Sequence, residues 1–113
     1  PTPRVWLVEL FGPIRVDRDS TPVQFRSKAA AYLLAYLILQ PGNEHRREKI
    51  QAALWPNDGQ EEGANNLRVT LSRLRSGMKA LADDLPVVIT RTTVTLLPNK
   101  IVCDAVEFDA NLK

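Results

Sequence analysis

The stretch EEGANNLRVTLSRLRSGMKALA, residues 61–82, constrains this chain more than any other. Leu67, Leu71, Leu74, Met78 and Leu81 follow one another at steps of four, three, four and three, which stacks them in one stripe along an α-helix. A stripe that narrow faces a core, and the rest of the helix faces outward. Between Gly63 and Ala82 that outward part carries Arg68, Arg73, Arg75 and Lys79 and no acid. On a helical wheel Arg68, Arg75 and Lys79 fall on one flank of the stripe, and Arg73 and Asn66 on the other. Asn65, Val69, Ser72 and Ser76 run along the ridge between the flanks.

This layout suits a helix lying in the major groove of double-stranded DNA, which admits one helix between two walls of phosphate. Cations on the flanks would meet phosphates, and short polar side chains on the ridge would meet base edges. Val69 is wasted on a water-facing ridge but can pack on a thymine methyl. The plainer reading is a soluble helix with a solvated basic face, on which a single exposed valine needs no explanation. Gly77, in mid-helix, costs about 1 kcal/mol relative to alanine and marks a close approach by a neighbouring element or a partner.

The stretches before this helix place it in a fold. Residues 4–11 (RVWLVELF) are rich in β-branched and aromatic residues and read as a strand. Gly12-Pro13 is a turn signal. Ile14 and Val16, then Val23 and Phe25, alternate with polar residues on either side of the turn Asp17-Arg18-Asp19-Ser20, so an antiparallel meander with one buried face is expected. Ser27 is placed to cap a helix over 28–40, with Ala30, Leu33, Leu34, Leu37 and Ile38 inward and Pro41-Gly42 ending it. Tyr32 and Tyr36 on this helix are four apart and are expected to stack as packing residues. Residues 47–55 form a second, short helix with Ile50, Leu54 and Trp55 inward, stopped by Pro56. Asp58 and Glu61 have capping-box spacing and open the long helix, so two helices join through a tight turn.

After the long helix, Asp83-Asp84 break the pattern. Residues 87–90 and 94–97 then read as a hairpin with Arg91 at its tip, without the Asn-Gly signature of the tightest turns. Asp104 is placed to cap a further helix carrying Ala105, Phe108 and Leu112. The expected organisation is therefore α+β, with a folded domain over residues 1–102 and residues 103–113 starting a helix that leads to a following domain.

Composition narrows the function. The chain of 113 residues is 44% hydrophobic and 25% charged, as ordinary globular domains are. Net charge is only +2, but the charge is segregated: from Gly63 to Val102 the bases are Arg68, Arg73, Arg75, Lys79, Arg91 and Lys100, against Asp83 and Asp84 alone. A local field of that sign attracts a polyanion. The one cysteine, Cys103, cannot form an internal disulfide. The longest apolar run, 29–39, is too short to span a bilayer, and no secretory leader is visible, so no membrane partner and a cytoplasmic location are expected. An enzyme is not expected. The one histidine, His45, has no second ligand at metal spacing and reads as a structural or solvated residue in a charged turn. Cys103 reads as a packed thiol, and no glycine-rich phosphate loop is present, so neither metal nor cofactor is expected.

Strands, three helices and a hairpin, in that order, resemble a winged helix-turn-helix domain of the OmpR/PhoB type. The residues that carry the resemblance are Leu10-Phe11-Gly12-Pro13, Val23-Gln24-Phe25, Leu34-Ala35-Tyr36-Leu37 with Pro41-Gly42, and Ala53-Leu54-Trp55-Pro56. They continue through Asn65-Asn66-Leu67-Arg68 and Leu71-Ser72-Arg73-Leu74-Arg75. With Cys103-Asp104 and Phe108, the chain is most similar to the DNA-binding domain of bacterial SARP/AfsR/EmbR-type transcriptional activators. That resemblance implies base contacts from Asn65, Asn66, Val69, Thr70 and Arg73. It implies backbone contacts from Arg68, Arg75 and the start of the second helix at Arg46 and Arg47, with Lys79 on the same flank, and a wing arginine, Arg91, in the adjacent minor groove. It also implies contact of residues 56–60 with RNA polymerase, binding as a dimer or as tandem copies on direct repeats, and a helical-repeat domain beginning near Asp104. Two positions depart from the pattern. The hairpin turn is Arg91-Thr92-Thr93, where the family carries glycine. The second helix has Arg46 in place of a Ser or Thr cap, at a cost of about 1 kcal/mol. The alternative to DNA is the same fold used as an interaction module for an acidic protein partner.

Overall fold

The computed structural model of the chain describes residues 5–106. Among them the architecture is α+β, with three helices and two small sheets. The first sheet begins as a meander of β1 (Trp6–Glu9), β2 (Arg15–Arg18) and β3 (Thr21–Pro22). Alternation decides its faces: Trp6 and Val8 point inward, Leu7 and Glu9 outward. The β2–β3 turn is shorter than the sequence pattern suggests. Asp17 and Arg18 belong to β2, and Asp19 and Ser20 alone make the turn at φ 51° and 69°. Two central residues with positive φ match the twist of a two-residue hairpin. Val23 follows β3 and donates its N–H to the Val16 carbonyl at 2.8 Å.

The fourth strand of this sheet is β7 (Ile101–Cys103). It runs parallel to β1, with Trp6 opposite Ile101 and Val8 opposite Cys103, and Cys103 is buried. A boundary after residue 102 therefore cuts through a strand of the first sheet. The Asp104 carboxylate accepts the N–H groups of Leu10 (2.7 Å) and Phe11 (3.3 Å), and these bonds hold its pKa below the usual carboxylate value. Phe108 and Leu112, expected on a helix beyond it, lie outside the described residues.

The helices are α1 (Lys28–Leu39), α2 (Arg47–Leu54) and α3 (Gln60–Lys79). On α1 the expected inward residues Ala30, Leu33, Leu34, Leu37 and Ile38 are all buried. Tyr32 is exposed, while Tyr36 turns toward His45, ring centroids 6.1 Å apart. On α3 Leu67, Leu71, Leu74 and Met78 are buried as the stripe requires. The expected capping box does not form. Gly59 is the N-cap of α3 without a side-chain bond, and Asp58 is used elsewhere.

The second sheet has the order β4-β6-β5, with β5 (Val87–Ile89) and β6 (Thr93–Leu96) forming the expected hairpin. Its third member, β4 (Glu44–Arg46), pairs with β6 and places His45 opposite Val94. His45 is thus not a surface residue of a charged turn: it is 5% exposed. Glu-His-Arg has no strand propensity of its own, and the pairing with β6 decides the conformation.

Both sheets and all three helices meet in one core of Trp6, Val8, Leu33, Leu34, Leu37, Ile50, Leu67, Leu74, Met78, Val94, Leu96 and Ile101 with their neighbours. One buried cation crosses it. Arg18 is 3% exposed, lies 4.9 Å from the Trp6 ring centre, and sets Nη2 at 2.9 and 3.1 Å from the two Asp84 carboxylate oxygens. Trp6 Nε1 donates to the Asp84 carbonyl at 2.9 Å. The segment after α3 is thereby tied to the first sheet.

Leu71→Ala is expected to cost about 2–5 kcal/mol in urea unfolding, because it empties a core position. Unchanged stability would show that α3 does not bury this face. A second expectation concerns acid. Burial pushes the His45 imidazole below its ordinary value of 6.5, and the charge of Lys49 adds to the shift, against the carbonyls of Leu37 and Gly42. The native protein therefore binds this proton less readily than the unfolded chain. The stability it confers is fully present above about pH 6.5 and is lost as pH falls through that value toward the native pKa. His45→Gln should flatten the stability profile between about pH 6.5 and 5, a window above the carboxylates. An unchanged profile would place the titration elsewhere.

Candidate nucleic-acid interface

The outward face of α3 is built by the packing of its inward face. With Leu67, Leu71, Leu74 and Met78 buried, Asn65, Ser72 and Ser76 are exposed along the ridge and Val69 is half-buried. Thr70, which the resemblance implies as a base contact, sits apart from these ridge residues. It is 5% exposed and faces the core side, since position 70 is three residues after Leu67 and four before Leu74. Its side chain is not offered to a ligand on the ridge.

Asn65 and Asn66 have different partners. Asn65 Oδ1 accepts from Arg68 Nη2 at 2.6 Å, so the two side chains are held as a pair on the exposed surface. Asn66 Nδ2 donates to Asp58 Oδ2 at 2.7 Å. That bond braces the turn between α2 and α3 with one of the two amide N–H groups. Close to it, Gln51 Nε2 donates to the Gln60 carbonyl at 2.9 Å, and a Cβ on Gly63 would come within 2.8 Å of Gln51 Cγ. At Gly63 α2 and α3 approach so closely that a side chain there would collide with Gln51.

On one flank Arg68, Leu71, Ser72 and Arg75 line a hollow with Arg47 of α2 and Ile89 of β5. Arg47 is fixed there by two bonds: its N–H donates to the Thr92 carbonyl and its Nε to the Thr90 carbonyl, each at 2.9 Å. Arg46 is exposed and 3.5 Å from Glu48, an open pair that contributes little. Lys79 and Arg91 are exposed at the end of the helix and at the hairpin tip.

The hairpin tip turns without glycine because a threonine does the work of the backbone. Thr90 Oγ1 accepts the N–H groups of Thr93 (3.0 Å) and Thr92 (3.3 Å) and lies 2.8 Å from Thr93 Oγ1. No residue between Ile89 and Val94 needs positive φ. Side-chain bonding of the kind Ser and Thr supply in turns holds this tip.

On the other flank Ser72, Arg73, Ser76, Gly77 and Ala80 line a second hollow with Gln24 and Arg26. Arg26 escaped the sequence reading because it lies in the link between β3 and α1, outside any periodic pattern. The signal that could have found it is Gly77, where a Cβ would come within 3.0 Å of the Phe25 ring and 3.4 Å of the Gln24 carbonyl.

Among the described residues no cluster of three or more His, Cys, Asp or Glu could hold a metal ion, and no helix is long and apolar enough to cross a membrane. Comparison of the chain with protein-family models, with curated proteins and with solved structures returns no match.

Thr90→Val should loosen the hairpin tip, lowering stability by about 1 kcal/mol and speeding amide exchange at Thr92 and Thr93, while Thr90→Ser keeps both near wild type. Equal exchange in the valine variant would show that the hydroxyl does not hold the turn.

Proposed function

We propose that this chain is a winged helix-turn-helix domain of the OmpR/PhoB type, nearest to SARP-type activators, that binds double-stranded DNA sequence-specifically in a bacterial transcriptional regulator. The observation that carries the reading is the arrangement of cations about α3. Arg47, Arg68 and Arg75 stand on one side of a polar ridge and Arg73 on the other, as a helix between two walls of phosphate would need. A flat acidic protein surface would not require cations on both sides. In this reading α3 enters the major groove, Asn65, Val69 and Arg73 meet base edges, and Arg46, Arg47, Arg68, Arg75 and Lys79 meet phosphates. The hairpin carries Arg91 to the backbone and adjacent minor groove. Asn66 braces the turn through one amide N–H and keeps its second N–H and its Oδ1 for a base edge. The braced loop over residues 56–60 is the surface for RNA polymerase, and binding as a dimer or in tandem on direct repeats follows from the same resemblance.

The test is selection of bound duplexes from a random pool, then titration of the enriched duplex against scrambled DNA at several salt concentrations. Arg73→Ala should cost about 1–3 kcal/mol on the selected duplex and relax preference at particular base pairs. Arg75→Ala should weaken all sequences alike and reduce the slope of log affinity against log salt by about one unit. Equal losses on selected and scrambled DNA in both variants would undo the division into readers and anchors. No binding to any duplex would overturn the DNA reading in favour of an acidic protein partner.

A further inference from the structure

The two flanks of α3 are not equally supplied. The hairpin side has Arg47, Arg68 and Arg75, with Lys79 and Arg91 nearby, whereas α3 itself puts only Arg73 on the opposite side. A duplex presents phosphates on both walls of its groove, so one cation would face a whole wall. The fold brings a second one there. The segment Gln24-Phe25-Arg26 crosses α3 at Gly77, where a Cβ would crowd the Phe25 ring at 3.0 Å, and the half-buried Phe25 packs against the core. This anchors the exposed Arg26 beside Arg73 along a hollow floored by Ser72, Ser76 and Gly77. Neither guanidinium has a carboxylate partner among the described residues, so both keep their charge available to an anion.

We propose that Arg26, delivered from outside the helix-turn-helix by the Phe25–Gly77 contact, is a DNA phosphate anchor on the groove wall opposite the hairpin. The proposal rests on the DNA reading above and extends it to a residue of the β3–α1 link. Such an anchor fixes the roll of α3 in the groove. With Arg73 alone opposite the cluster of the hairpin side, the helix could rotate about its axis toward that cluster; with Arg26 beside Arg73, the ridge of Asn65, Ser72 and Ser76 is held toward the bases. Arg26 is in this sense a positioning residue: it carries no sequence information itself.

The test uses the duplex enriched in the selection. Arg26→Ala should weaken binding roughly threefold to tenfold and lower the salt slope by about one unit, and Arg26→Lys should restore most of the slope because a point charge suffices at a phosphate. Phosphates are then neutralised one at a time as methylphosphonates. Arg26→Ala should lose sensitivity at one or two phosphates that the Arg75→Ala protein still feels, on the opposite wall of the groove. Thermal unfolding at the wild-type temperature confirms that the variants are folded. If Arg75→Ala lowers the slope and Arg26→Ala does not, or if both become insensitive at the same phosphates, the assignment of Arg26 is overturned while the DNA reading stands. If the wild-type chain binds no duplex, both fall together.

Discussion

The structure depends on the burial of one stripe of α3. Leu67, Leu71, Leu74 and Met78 are the points at which this helix is pressed into the core, and α1, α2 and both sheets contribute the side chains that receive them. Each of these residues contributes a few kcal/mol of transfer free energy when fully covered. Because the stripe is narrow, its burial also sets the rotation of the helix. Once Leu74 is inward, Arg73 and Arg75 must leave on opposite sides, and Ser72 and Ser76 must lie between them. The layout of the basic outward face is therefore a by-product of core packing and needs no separate determinant.

A second layer of contacts is polar and acts at the ends of α3. At the start, Asn66 and Gln51 hold the turn from α2 through Asp58 and the Gln60 carbonyl. At the far end, Asp84 takes the buried Arg18 guanidinium, and the Trp6 indole donates to its backbone. Arg18 Nε and Nη1 are buried without a partner, so this tie carries a desolvation cost that the ion pair and the Trp6 face offset only in part. What it supplies is position: charges at a helix end and in a distant strand can meet in only one arrangement, whereas apolar contacts tolerate sliding.

The three helices and the β5–β6 hairpin were legible because each rests on local periodicity that a few apolar residues reveal. What was missed is non-local. β7 pairs with β1 from the far end of the described chain, and Ile101–Cys103 is too short to announce a strand. β4 consists of Glu44, His45 and Arg46, which read as a loop until β6 is placed beside them. The burial of Thr70 has a local cause. Polar residues on a basic helix invite a ligand-facing assignment, but the angular position of Thr70 between Leu67 and Leu74 was available from the sequence and outweighs its polarity. The hydrogen bonds of Asp58 could not be anticipated, because capping and bracing use the same carboxylate and only the packing of α2 on α3 selects between them.

β4 also joins fold stability to the geometry of the basic face. His45 is buried against Tyr36 and paired with Val94. The next two residues are Arg46 and Arg47, the second of which donates to both Thr90 and Thr92 at the hairpin tip. A change that loosens His45 therefore moves the hairpin and Arg47 together, while Arg68 and Arg75 stay with α3. Through its pairing with β6, this short strand ties Arg47 to the hairpin. Arg26 and Arg73 on the other flank depend on Phe25 and Gly77 and are independent of β4. The cations on the two flanks of α3 are thus positioned by separate sets of contacts.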